Sequence, residues 1–471
     1  MDPFDARGVM EATGGSLVQG RPDAEFPLLS TDSRGLPRGA LFLALKGSRH
    51  DAHAFVGGAI HSGAGGVVVA YDRVGDLPRA PADVTVIAVD DTLEALGRIA
   101  NRRRREHGVP LVAITGSNGK TSTKEMVAAL LETRGEVLKT PQNHNNRIGV
   151  PLTLLELTSR HRYAVIEMGT SEPGEIGKLV AIAEPTTAVI TNIASAHTEG
   201  LRDVAGVAVE KGAIYEGLPA TGTAVVNLDD PRCVEQSRRS PARRVTFGEA
   251  EAADVRIQEY RFGDRKPRVS GTVMFDGEAI DFDTNLVGFH HVRNVAAALA
   301  AAHSVGLAPR AVAPSLLSVS PQPHRMQFQE GSGLWILDDC YNANPESTVQ
   351  AIETLDRCRN LAQPKARAIA VLGDMLELGP ASEAAHARVG RAVMDNRIDV
   401  LITVGEAAQT ISNTAREGGL RAVVHVNDAE GAVRWIRKVA NAGDWLLVKG
   451  SRGMRLERVV DEVKRGELPR T

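Results

Sequence analysis

The chain has 471 residues, of which 43% are hydrophobic and 24% charged, so it is a globular protein able to bury several hydrophobic cores. Its formal net charge of −3 and its lack of interleaved basic and aromatic residues argue against nucleic-acid binding. Because it has only three cysteines, no apolar signal region at the N-terminus and no apolar stretch as long as a membrane span, we expect a cytoplasmic protein without membrane insertion.

Short apolar runs separated by glycine-rich turns characterise residues 1–97. The runs "GALFLALKG", "GAGGVVVAY" and "VTVIAVDD" are typical of buried strands, and "DAHAFVGGAIHSG" has a helical pattern. This alternation predicts a small α/β domain. Residues 102–105, four consecutive arginines, are the one dense basic cluster, and we expect the solvated end of a helix there rather than a nucleic-acid contact.

Residues 98–322 contain four candidates for buried strands, "PLVAIT", "YAVIEMG", "TTAVITNI" and "TAVVNLDD", with helical patterns between them. This pattern predicts a largely parallel sheet with helices on both faces. A polar, turn-rich stretch at 248–282 indicates an antiparallel excursion. The alanine-rich segment "NVAAALAAAHSVGL" reads as a buried helix.

Residues 323–471 repeat the alternation, with strand candidates "LWILDD", "RAIAVLGD", "DVLITVG" and "DWLLVKG". No GxGxxG follows any of them, so a dinucleotide site is not indicated. We predict an α/β protein of three domains: a small first domain, a central mononucleotide-binding domain with a parallel sheet, and a Rossmann-like third domain. Hinges are expected near 98–110 and 318–324.

The stretch "LVAITGSNGKTSTKE" joins an apolar strand to a helix through a glycine turn, which is the arrangement that holds a polyphosphate. Lys120 would neutralise phosphate charge, and the Thr121 hydroxyl would contact Mg²⁺. The longer GxxxxGK[ST] pattern is absent because Ile114 stands at its first position. The alternative is a glycine-rich turn without a ligand. The predicted phosphate loop comprises Thr115, Gly116, Ser117, Asn118, Gly119, Lys120, Thr121 and Ser122.

Two polar residues follow the next strands of the predicted sheet. Glu167 ends "YAVIEMG", and His197 lies in "TNIASAHTEG". Since parallel strands deliver their carboxyl ends to one edge, both side chains are expected near the phosphate loop, where they could hold Mg²⁺. The alternatives are a capping carboxylate and an ordinary loop histidine.

Seven motifs carry a resemblance that spans almost the whole chain: "ITGSNGKTSTKE", "NHNNRIGVPLTLL", "IEMGTSEPGEI", "TNIASAHTEG", "DDCYNANPES", "VLGDMLELG" and "VKGSRGMRLE". In this order they resemble the Mur ligases of peptidoglycan synthesis. "YNANPES" and "GDMLELG" are similar to the branch that adds D-Ala-D-Ala to UDP-MurNAc-tripeptide, and "STDSRGLPRGALFLALKGSRHDAHAF" resembles the uridine-nucleotide domain of related branches.

This resemblance implies an ATP- and Mg²⁺-dependent amide ligase that works through an acyl phosphate. We expect a monomer, although the sequence does not fix the oligomeric state. Residue by residue, it gives Lys120 to the β- and γ-phosphates, Thr121 and Glu167 to one Mg²⁺, and His197 to a second. Lys211, in "VEKGAIYEG", matches a lysine that is carbamylated in the family and would also serve the metal. From the sequence alone, Lys211 reads as a solvated helix lysine.

The same match implies nucleotide contacts outside the phosphate loop. Asn294 corresponds to the family's adenine-contacting asparagine, while His291 replaces a second asparagine of that motif. Arg325 and Asp339 correspond to third-domain residues that reach the nucleotide when the domains close. Contacts with the UDP-linked substrate or the dipeptide are implied for Ser33, Arg34, Lys46, His53, Thr140, Asn143, Asn145, Asn146, Tyr341, Asn342, Asn344, Lys449 and Ser451.

Three alternatives stay open at this stage. A folylpolyglutamate synthetase-like ligase shares the chemistry but not the uridine-type first domain. A nucleotide-sensing subunit would not need Lys120, Glu167 and Lys211 together. A nucleic-acid motor would rest on the arginine run alone. The sequence leaves open whether lysine or diaminopimelate stands third in the tripeptide, and whether the acceptor ends in D-alanine or D-lactate.

Overall fold

The computed structural model describes residues 3–47, 50–263, 267–361 and 366–466. The protein has the mixed α/β architecture that the sequence predicts. Each of the three predicted domains, 1–97, 98–322 and 323–471, contains a β-sheet of its own, and the third domain lies over the carboxyl edge of the central sheet.

The N-terminal part forms a two-stranded pair and a five-stranded sheet of order β2-β7-β6-β5-β4. Only β2 is antiparallel in the larger sheet. The three predicted strands are confirmed as β5, β6 and β7. The strands are β1 (Phe4–Asp5), β2 (Ser16–Gln19), β3 (Glu25–Phe26), β4 (Leu29–Ser30), β5 (Leu41–Leu43), β6 (Gly66–Ala70) and β7 (Thr85–Val89), and the helices are α1 (Ala6–Thr13), α2 (Val56–His61) and α3 (Thr92–His107), with 3-10 turns at Ala52–Phe55 and Tyr71–Asp76.

The central sheet has nine strands in the order β16-β15-β14-β13-β12-β11-β8-β10-β9. It is parallel from β9 to β14, and the predicted antiparallel excursion is confirmed as β14, β15 and β16. The strands are β8 (Leu111–Thr115), β9 (Glu136–Lys139), β10 (His161–Glu167), β11 (Thr187–Ile190), β12 (Thr223–Asn227), β13 (Arg243–Gly248), β14 (Val255–Phe262), β15 (Val269–Phe275) and β16 (Glu278–Asp283).

Helices cover both faces of this sheet, which is why the strand sequences are continuously apolar rather than alternating. The buried alanine-rich helix is confirmed as α10. The helices are α4 (Lys120–Glu132), α5 (Gly149–Leu155), α6 (Glu175–Ala183), α7 (Thr198–Leu201), α8 (Val204–Glu216), α9 (Pro231–Ser237), α10 (His290–Ser304) and α11 (Pro309–Val312), followed by a 3-10 turn at Ala313–Ser318.

The third domain has a six-stranded sheet of order β17-β18-β22-β19-β20-β21 with only β17 antiparallel. The four predicted strands are confirmed as β18, β19, β20 and β22; β17 and β21 are additional edge strands. The elements are β17 (Gln327–Gly331), β18 (Leu334–Asp339), α12 (Pro345–Leu361), β19 (Ala368–Gly373), α13 (Ser382–Asp395), β20 (Val400–Val404), α14 (Gln409–Glu417), β21 (Val423–Val426), α15 (Ala429–Val439), β22 (Trp445–Lys449) and α16 (Glu457–Arg465), with 3-10 turns at Gly379–Ala381 and Arg452–Met454.

Helix α3 joins the first and central domains without a break. Asp91 caps it by accepting hydrogen bonds from the N–H groups of Leu93 and Glu94, and the helix continues through residue 97 to His107. Its backbone hydrogen bonds resist bending. The hinge predicted at 98–110 therefore falls mostly on a rigid helix, and only residues 108–110 lie beyond its end.

The arginine run on α3 is only in part the solvated helix end that the sequence suggests, because Arg105 is exposed and Arg102 half-buried but the two arginines between them are not. Arg103 and Arg104 are buried, with Arg103 stacked on the ring of Phe4 at 4.2 Å. The Arg104 side chain donates to the carbonyl oxygen of Ala183 at 2.9 Å, and Arg105 pairs with Glu184. Arg104 and Arg105 therefore bind α3 to the C-terminal end of α6.

One hydrophobic core cluster runs through both the first and the central domains. It contains Leu41 and Ile87 from the first sheet together with Leu111 and Ile190 from the central sheet. The third domain has separate clusters, to which the central domain adds the buried Val287. Hence the first two domains share an interior, whereas the third domain is packed largely on itself.

Within the described residues no single helix is long and apolar enough to cross a membrane. One pair, His290–Ser304 and Pro309–Ser318, reaches that length and composition only together, and it is bent by 118°.

Candidate active site

A cleft of about 510 Å³ lies between the carboxyl edge of the central sheet and the third domain, and we call it the central cleft. Most of the site residues predicted in these two domains line it, although they are scattered over more than 300 positions of sequence. The predicted residues that the cleft brings together are Ser117, Asn118, Gly119, Lys120, Ser122, Asn143, Asn145, Asn146, Glu167, His197, Arg325, Asp339, Tyr341, Asn342, Asn344, Lys449 and Ser451.

The phosphate loop connects β8, which lies between β11 and β10 in the sheet, to α4. Gly116 has φ 149° and touches β11 so closely that a Cβ would lie 1.9 Å from the Thr191 hydroxyl. Gly119, with φ 79°, precedes α4, and no side chain in the described part of the protein caps the N-terminus of this helix. The first-turn N–H groups of α4 are therefore available to an anion, and a side chain at Gly116 is excluded.

Not every amide of this loop faces the cleft. The N–H groups of Ser117 and Asn118 donate to the backbone and side-chain oxygens of Asn192, at 2.9 and 3.0 Å. The amides of a phosphate loop are expected to face the anion, but these two do not, because Asn192, just beyond the end of the neighbouring strand β11, accepts them. Thr115 lies beneath the loop, and its hydroxyl donates to the carbonyl of Met168.

Lys120 lies at the first position of α4 with its ammonium turned back over the loop. Its Nζ donates to the carbonyl oxygen of Gly116 at 2.6 Å. Burial lowers the pKa of Lys120, opposed by Glu167 and assisted by Arg325. The protein therefore neutralises the positive charge of Lys120 only in part, and a bound phosphate could neutralise the rest.

Oxygen atoms converge beside the loop at the end of β10. The Glu167 carboxylate is 1% exposed and accepts from the Thr121 hydroxyl at 2.8 Å and from the Asn145 amide at 2.9 Å. Thr140 is buried behind it, where its hydroxyl accepts the N–H of Glu167 at 2.9 Å. Thr140 therefore positions Glu167 and does not itself line the cleft.

Lys211 is buried on α8 with 1% exposure, so its reading as a solvated helix lysine is wrong. Burial, reinforced by the nearby Lys120, holds its pKa well below the ordinary value, while Glu210 and Cys233 act the other way. Within the described part of the chain its ammonium has no hydrogen-bond or ion-pair partner. The surroundings thus favour a neutral amine.

His197 lies at the start of α7 in the left-handed conformation, with φ 57°. Its Nδ1 is 2.6 Å from a carboxylate oxygen of Glu377 in the third domain. Burial and the cation of Lys120 lower the pKa of His197, opposed by Glu377. A neutral ring that donates from Nδ1 to Glu377 leaves Nε2 as a free ligand atom.

Glu377 is a candidate functional residue that the sequence analysis did not name. Its motif, "GDMLELG", was used there only as part of the family resemblance. Its backbone carbonyl accepts the N–H of Glu199, and the carbonyl of Leu378 accepts the Thr198 hydroxyl at 3.1 Å. These contacts dock the Glu377 loop on α7. Only the packed domains reveal them, since Glu377 and His197 are 180 residues apart.

A second cavity of about 290 Å³ opens on the other side of the phosphate loop and is bordered by α10 and the end of β12. Asn294 lines it, and its side-chain amide lies 3.3 Å from Nδ1 of His291. The Asn294 oxygen would lie 2.5 Å from a Cβ at Gly119. The predicted adenine contact therefore stands directly beside the phosphate loop.

Two histidines at the start of α10, the half-buried His290 and the buried His291, predict a pH-dependent stability. Burial lowers the pKa of His290 from the ordinary 6.5 to about 4. Between these values the unfolded chain takes up a proton that the folded protein does not, so stability is lost as the pH falls from about 6.5 to about 4. Urea unfolding across this range should show a loss of about 3 kcal/mol from His290.

His290→Gln should reduce this slope, and the slope that is left comes from other groups with lowered pKa values, among them His291 and His197. His61→Gln, at an exposed position on α2, is the matched control and should leave the slope unchanged. Equal slopes in all three proteins would contradict the assignment.

The third domain contributes an ordered set of polar side chains to the central cleft. Asp339 accepts from the Lys449 ammonium at 2.6 Å and from the N–H of Met326 at 2.9 Å. The Arg325 guanidinium stacks on the Tyr341 ring at 3.9 Å. These contacts hold the end of β18 in place. They also position the cationic side chains of Lys449 and Arg325 at the central cleft.

The turn before α12 makes a direct bond to the phosphate loop. Asn344 caps α12 through Ser347, and its side-chain amide donates to the Asn118 side chain at 2.8 Å. Asn342 accepts from Lys449 at 3.0 Å through its backbone, and the Ser451 hydroxyl accepts the N–H of Leu376. The third domain therefore contacts the phosphate loop directly.

The predicted residues of the first domain do not line the central cleft. Arg34 is exposed and paired with Asp32, next to Ser33. Lys46 forms a β-bridge with Asp51. Both ring nitrogens of His53 are engaged, one by Asp51 at 2.6 Å and the other by the N–H of Ala70 at 3.0 Å. Ser48 and Arg49 of the predicted uridine loop lie outside the described residues.

Comparison with known proteins gives one consistent result. Three family profiles match: Mur ligase family, catalytic domain, at residues 25–104; Mur ligase middle domain at 114–302; and Mur ligase, glutamate ligase domain, at 324–452. The UDP-N-acetylmuramoyl-tripeptide–D-alanyl-D-alanine ligase of Escherichia coli is 36% identical over 93% of this chain and 94% of its own. That of Bacillus subtilis is 35% identical over 97% of both chains.

Solved structures agree with these relatives. A crystal structure of MurF from Acinetobacter baumannii superposes with a TM-score of 0.89 at 29% identity, covering 99% of this chain and 100% of that one. MurF ligase from Thermotoga maritima in complex with ADP superposes with a TM-score of 0.81 at 26% identity, covering 93% and 97%.

Proposed function

The chain belongs to the Mur ligase family, and on that premise we propose that it joins D-alanyl-D-alanine to UDP-MurNAc-tripeptide in peptidoglycan synthesis, with conversion of ATP to ADP and phosphate. The observation that carries this proposal is the meeting, in one cleft, of the phosphate loop, the Glu167 carboxylate and the polar face of the third domain. We further propose that the protein acts as a monomer. We place the reaction in the cytoplasm, where ATP and nucleotide-linked precursors are found.

The reaction activates a carboxylate, which by itself is a poor acyl donor. The tripeptide carboxylate attacks the γ-phosphate of ATP, so ADP leaves and an acyl phosphate forms. The dipeptide amine then attacks the acyl carbon and loses a proton, and phosphate leaves as the amide forms. Because anions must approach one another, the site needs cations, and Lys120, Arg325 and the α4 N-terminus supply them.

The residues present fit Mg²⁺. Glu167 and Thr121 offer oxygen atoms, which Mg²⁺ prefers, and Nε2 of His197 is free for a metal. Mg²⁺, when bound, neutralises phosphate oxygens and polarises the phosphoryl group. The buried Lys211 fits carbamylation, because a neutral amine can attack CO₂ and the resulting carbamate would supply oxygen atoms where an ammonium would repel a cation.

The direct test is phosphate release from ATP with UDP-MurNAc-tripeptide, with and without D-Ala-D-Ala. We expect sustained release only when both are present, together with the mass of UDP-MurNAc-pentapeptide. Release that needs neither substrate would overturn the proposal in favour of a nucleotide-sensing subunit. Parallel assays with lysine- and diaminopimelate-containing tripeptides, and with D-Ala-D-lactate, would define the substrates.

Replacing Glu377 with glutamine should weaken its contact with His197, which joins the third domain to the predicted metal ligands. The variant keeps the size of the side chain but loses the charge that holds His197, so we expect about tenfold weaker binding of Mg-nucleotide. Small-angle scattering should show a smaller ligand-induced compaction than in the wild type. Glu383→Gln, on the exposed face of α13, is the matched control. Unchanged affinity and compaction in Glu377→Gln would refute this role.

A further inference from the structure

A second set of metal-ligating side chains lies in the third domain. His324 precedes β17, while Asp338 and Cys340 lie at the end of β18, and one ligand atom of each lies within 4.8 Å of the others. Asp338 bridges the other two: one carboxylate oxygen is 2.9 Å from Nδ1 of His324 and the other 2.9 Å from Sγ of Cys340. The Sγ–Nδ1 distance is 3.6 Å.

These distances suit a tetrahedral cation. With metal–sulfur and metal–nitrogen bonds of about 2.3 and 2.0 Å, sulfur and nitrogen ligands stand about 3.5 Å apart, and nitrogen and oxygen ligands about 3.3 Å. The Sγ–Nδ1 distance of 3.6 Å matches, whereas the two distances from Asp338, each 2.9 Å, would have to lengthen by about 0.4 to 0.6 Å around a bound cation. Imidazole, carboxylate and thiolate together favour Zn²⁺ over Mg²⁺ or Ca²⁺.

The electrostatics of the cluster point the same way. Burial raises the pKa of the Cys340 thiol, and the carboxylates of Asp338, Glu457 and Asp339 raise it further. Glu457 is an independent sign, because its Oε2 is buried and has no hydrogen-bond partner among the described residues. Asp339 is already paired with Lys449. The charge that a divalent cation would balance here is therefore that of Asp338 and of the unpartnered Glu457 oxygen.

A cation can reach the cluster from one side. The Asp338 side chain is fully buried, whereas the His324 side chain is 30% exposed. Solvent water entering past His324 can complete the fourth position. The site is separate from the predicted Mg²⁺ ligands, which are Thr121, Glu167, His197 and Lys211 in the central domain.

We propose that His324, Asp338 and Cys340 form a binding site for a thiophilic divalent cation of the Zn²⁺ type. On binding, Cys340 loses its thiol proton to solvent and becomes a thiolate ligand, while His324 binds through Nδ1 as neutral imidazole. The ligands alternate in sequence with Arg325 and Asp339, which face the nucleotide side. A bound cation would hold the chain before β17 against the end of β18, at the C-terminal end of the predicted hinge 318–324. This proposal does not depend on the ligase reaction.

Co²⁺ is the probe for this site, because a Co²⁺–thiolate bond gives a charge-transfer band that oxygen and nitrogen ligands do not give. Titration of the untagged full chain in Mg²⁺-free buffer should saturate at one equivalent. Stoichiometric Zn²⁺ should abolish the band, and calorimetry in two buffers of different ionisation enthalpy should show release of one proton. Absence of a saturable charge-transfer band would overturn the proposal.

Variants distinguish this site from the other thiols. Cys340→Ser should lose the band, and His324→Gln, at a partly exposed position, should bind Co²⁺ at least tenfold more weakly. Cys233→Ser and Cys358→Ser are matched controls, since both thiols are also free and buried, and they should keep the band. A band that survives in Cys340→Ser, or that disappears in Cys233→Ser, would place the thiolate elsewhere and refute the assignment.

Discussion

Replacing Lys120 with alanine should lower kcat of the ligase reaction about 10³-fold, equivalent to about 4 kcal/mol of transition-state stabilisation. The ammonium lies over the phosphate loop, 2.6 Å from the Gly116 carbonyl, in surroundings that depress its pKa and leave its charge available to phosphate. Its removal takes away positive charge where the transferred phosphoryl group develops negative charge. The measurement is kcat from coupled ADP release at saturating ATP and both substrates.

The controls for Lys120→Ala separate charge from fold. Lys120→Arg keeps the charge but not the compact ammonium, so we expect only partial activity. Lys178→Ala changes an exposed lysine on α6 and should keep wild-type kcat. Near-normal kcat in Lys120→Ala, with its thermal unfolding unchanged, would show that this loop does not hold the reacting phosphate.

Replacing Lys211 with alanine should lower kcat about 100-fold, because it removes both the amine and the carbamate that we propose it carries. The wild-type enzyme should lose activity when CO₂ is stripped from the buffer and regain it with bicarbonate. Carbamylation joins a neutral amine to CO₂ with release of one proton, so a buried amine with a depressed pKa is prepared for it. Mass spectrometry of the native protein should show the added mass of one CO₂.

Lys211→Arg is the sharper comparison, since it keeps a cation at the site but cannot form the carbamate. It should be as inactive as Lys211→Ala, and bicarbonate should not change its activity. If Lys211→Arg were active, or if wild-type activity did not depend on CO₂, then Lys211 would serve as an ordinary cation and the carbamate would be refuted.

The strands and the phosphate loop were predictable from the sequence because their signals are local. A continuous apolar run such as Leu111–Thr115 requires cover on both faces, and parallel strands bring Thr115 and Glu167 to the same edge. The resemblance to a known family added Asn294, Arg325 and Asp339, whose positions on either side of the phosphate loop no periodicity indicates.

What escaped the sequence depends on distant packing. The burial of Lys211 follows from the wedging of α8 against its neighbours, where the adjacent Glu210 accepts from the N–H groups of Gly174 and Ile176. Arg104 is buried because it donates to a backbone carbonyl at the end of α6. A sequence pattern cannot predict this bond, because every residue has a backbone carbonyl. The Glu377 contact with His197 exists only between docked domains.

Because the first two domains share a hydrophobic core, they cannot be separated into two stable fragments. Because Leu41 and Ile87 pack in the same cluster as Leu111 and Ile190, cutting the chain near residue 108 would expose apolar surface on both fragments. The third domain, with clusters largely of its own, is the natural fragment for separate expression. During synthesis, residues 1–322 would condense as one cooperative unit before the third domain leaves the ribosome.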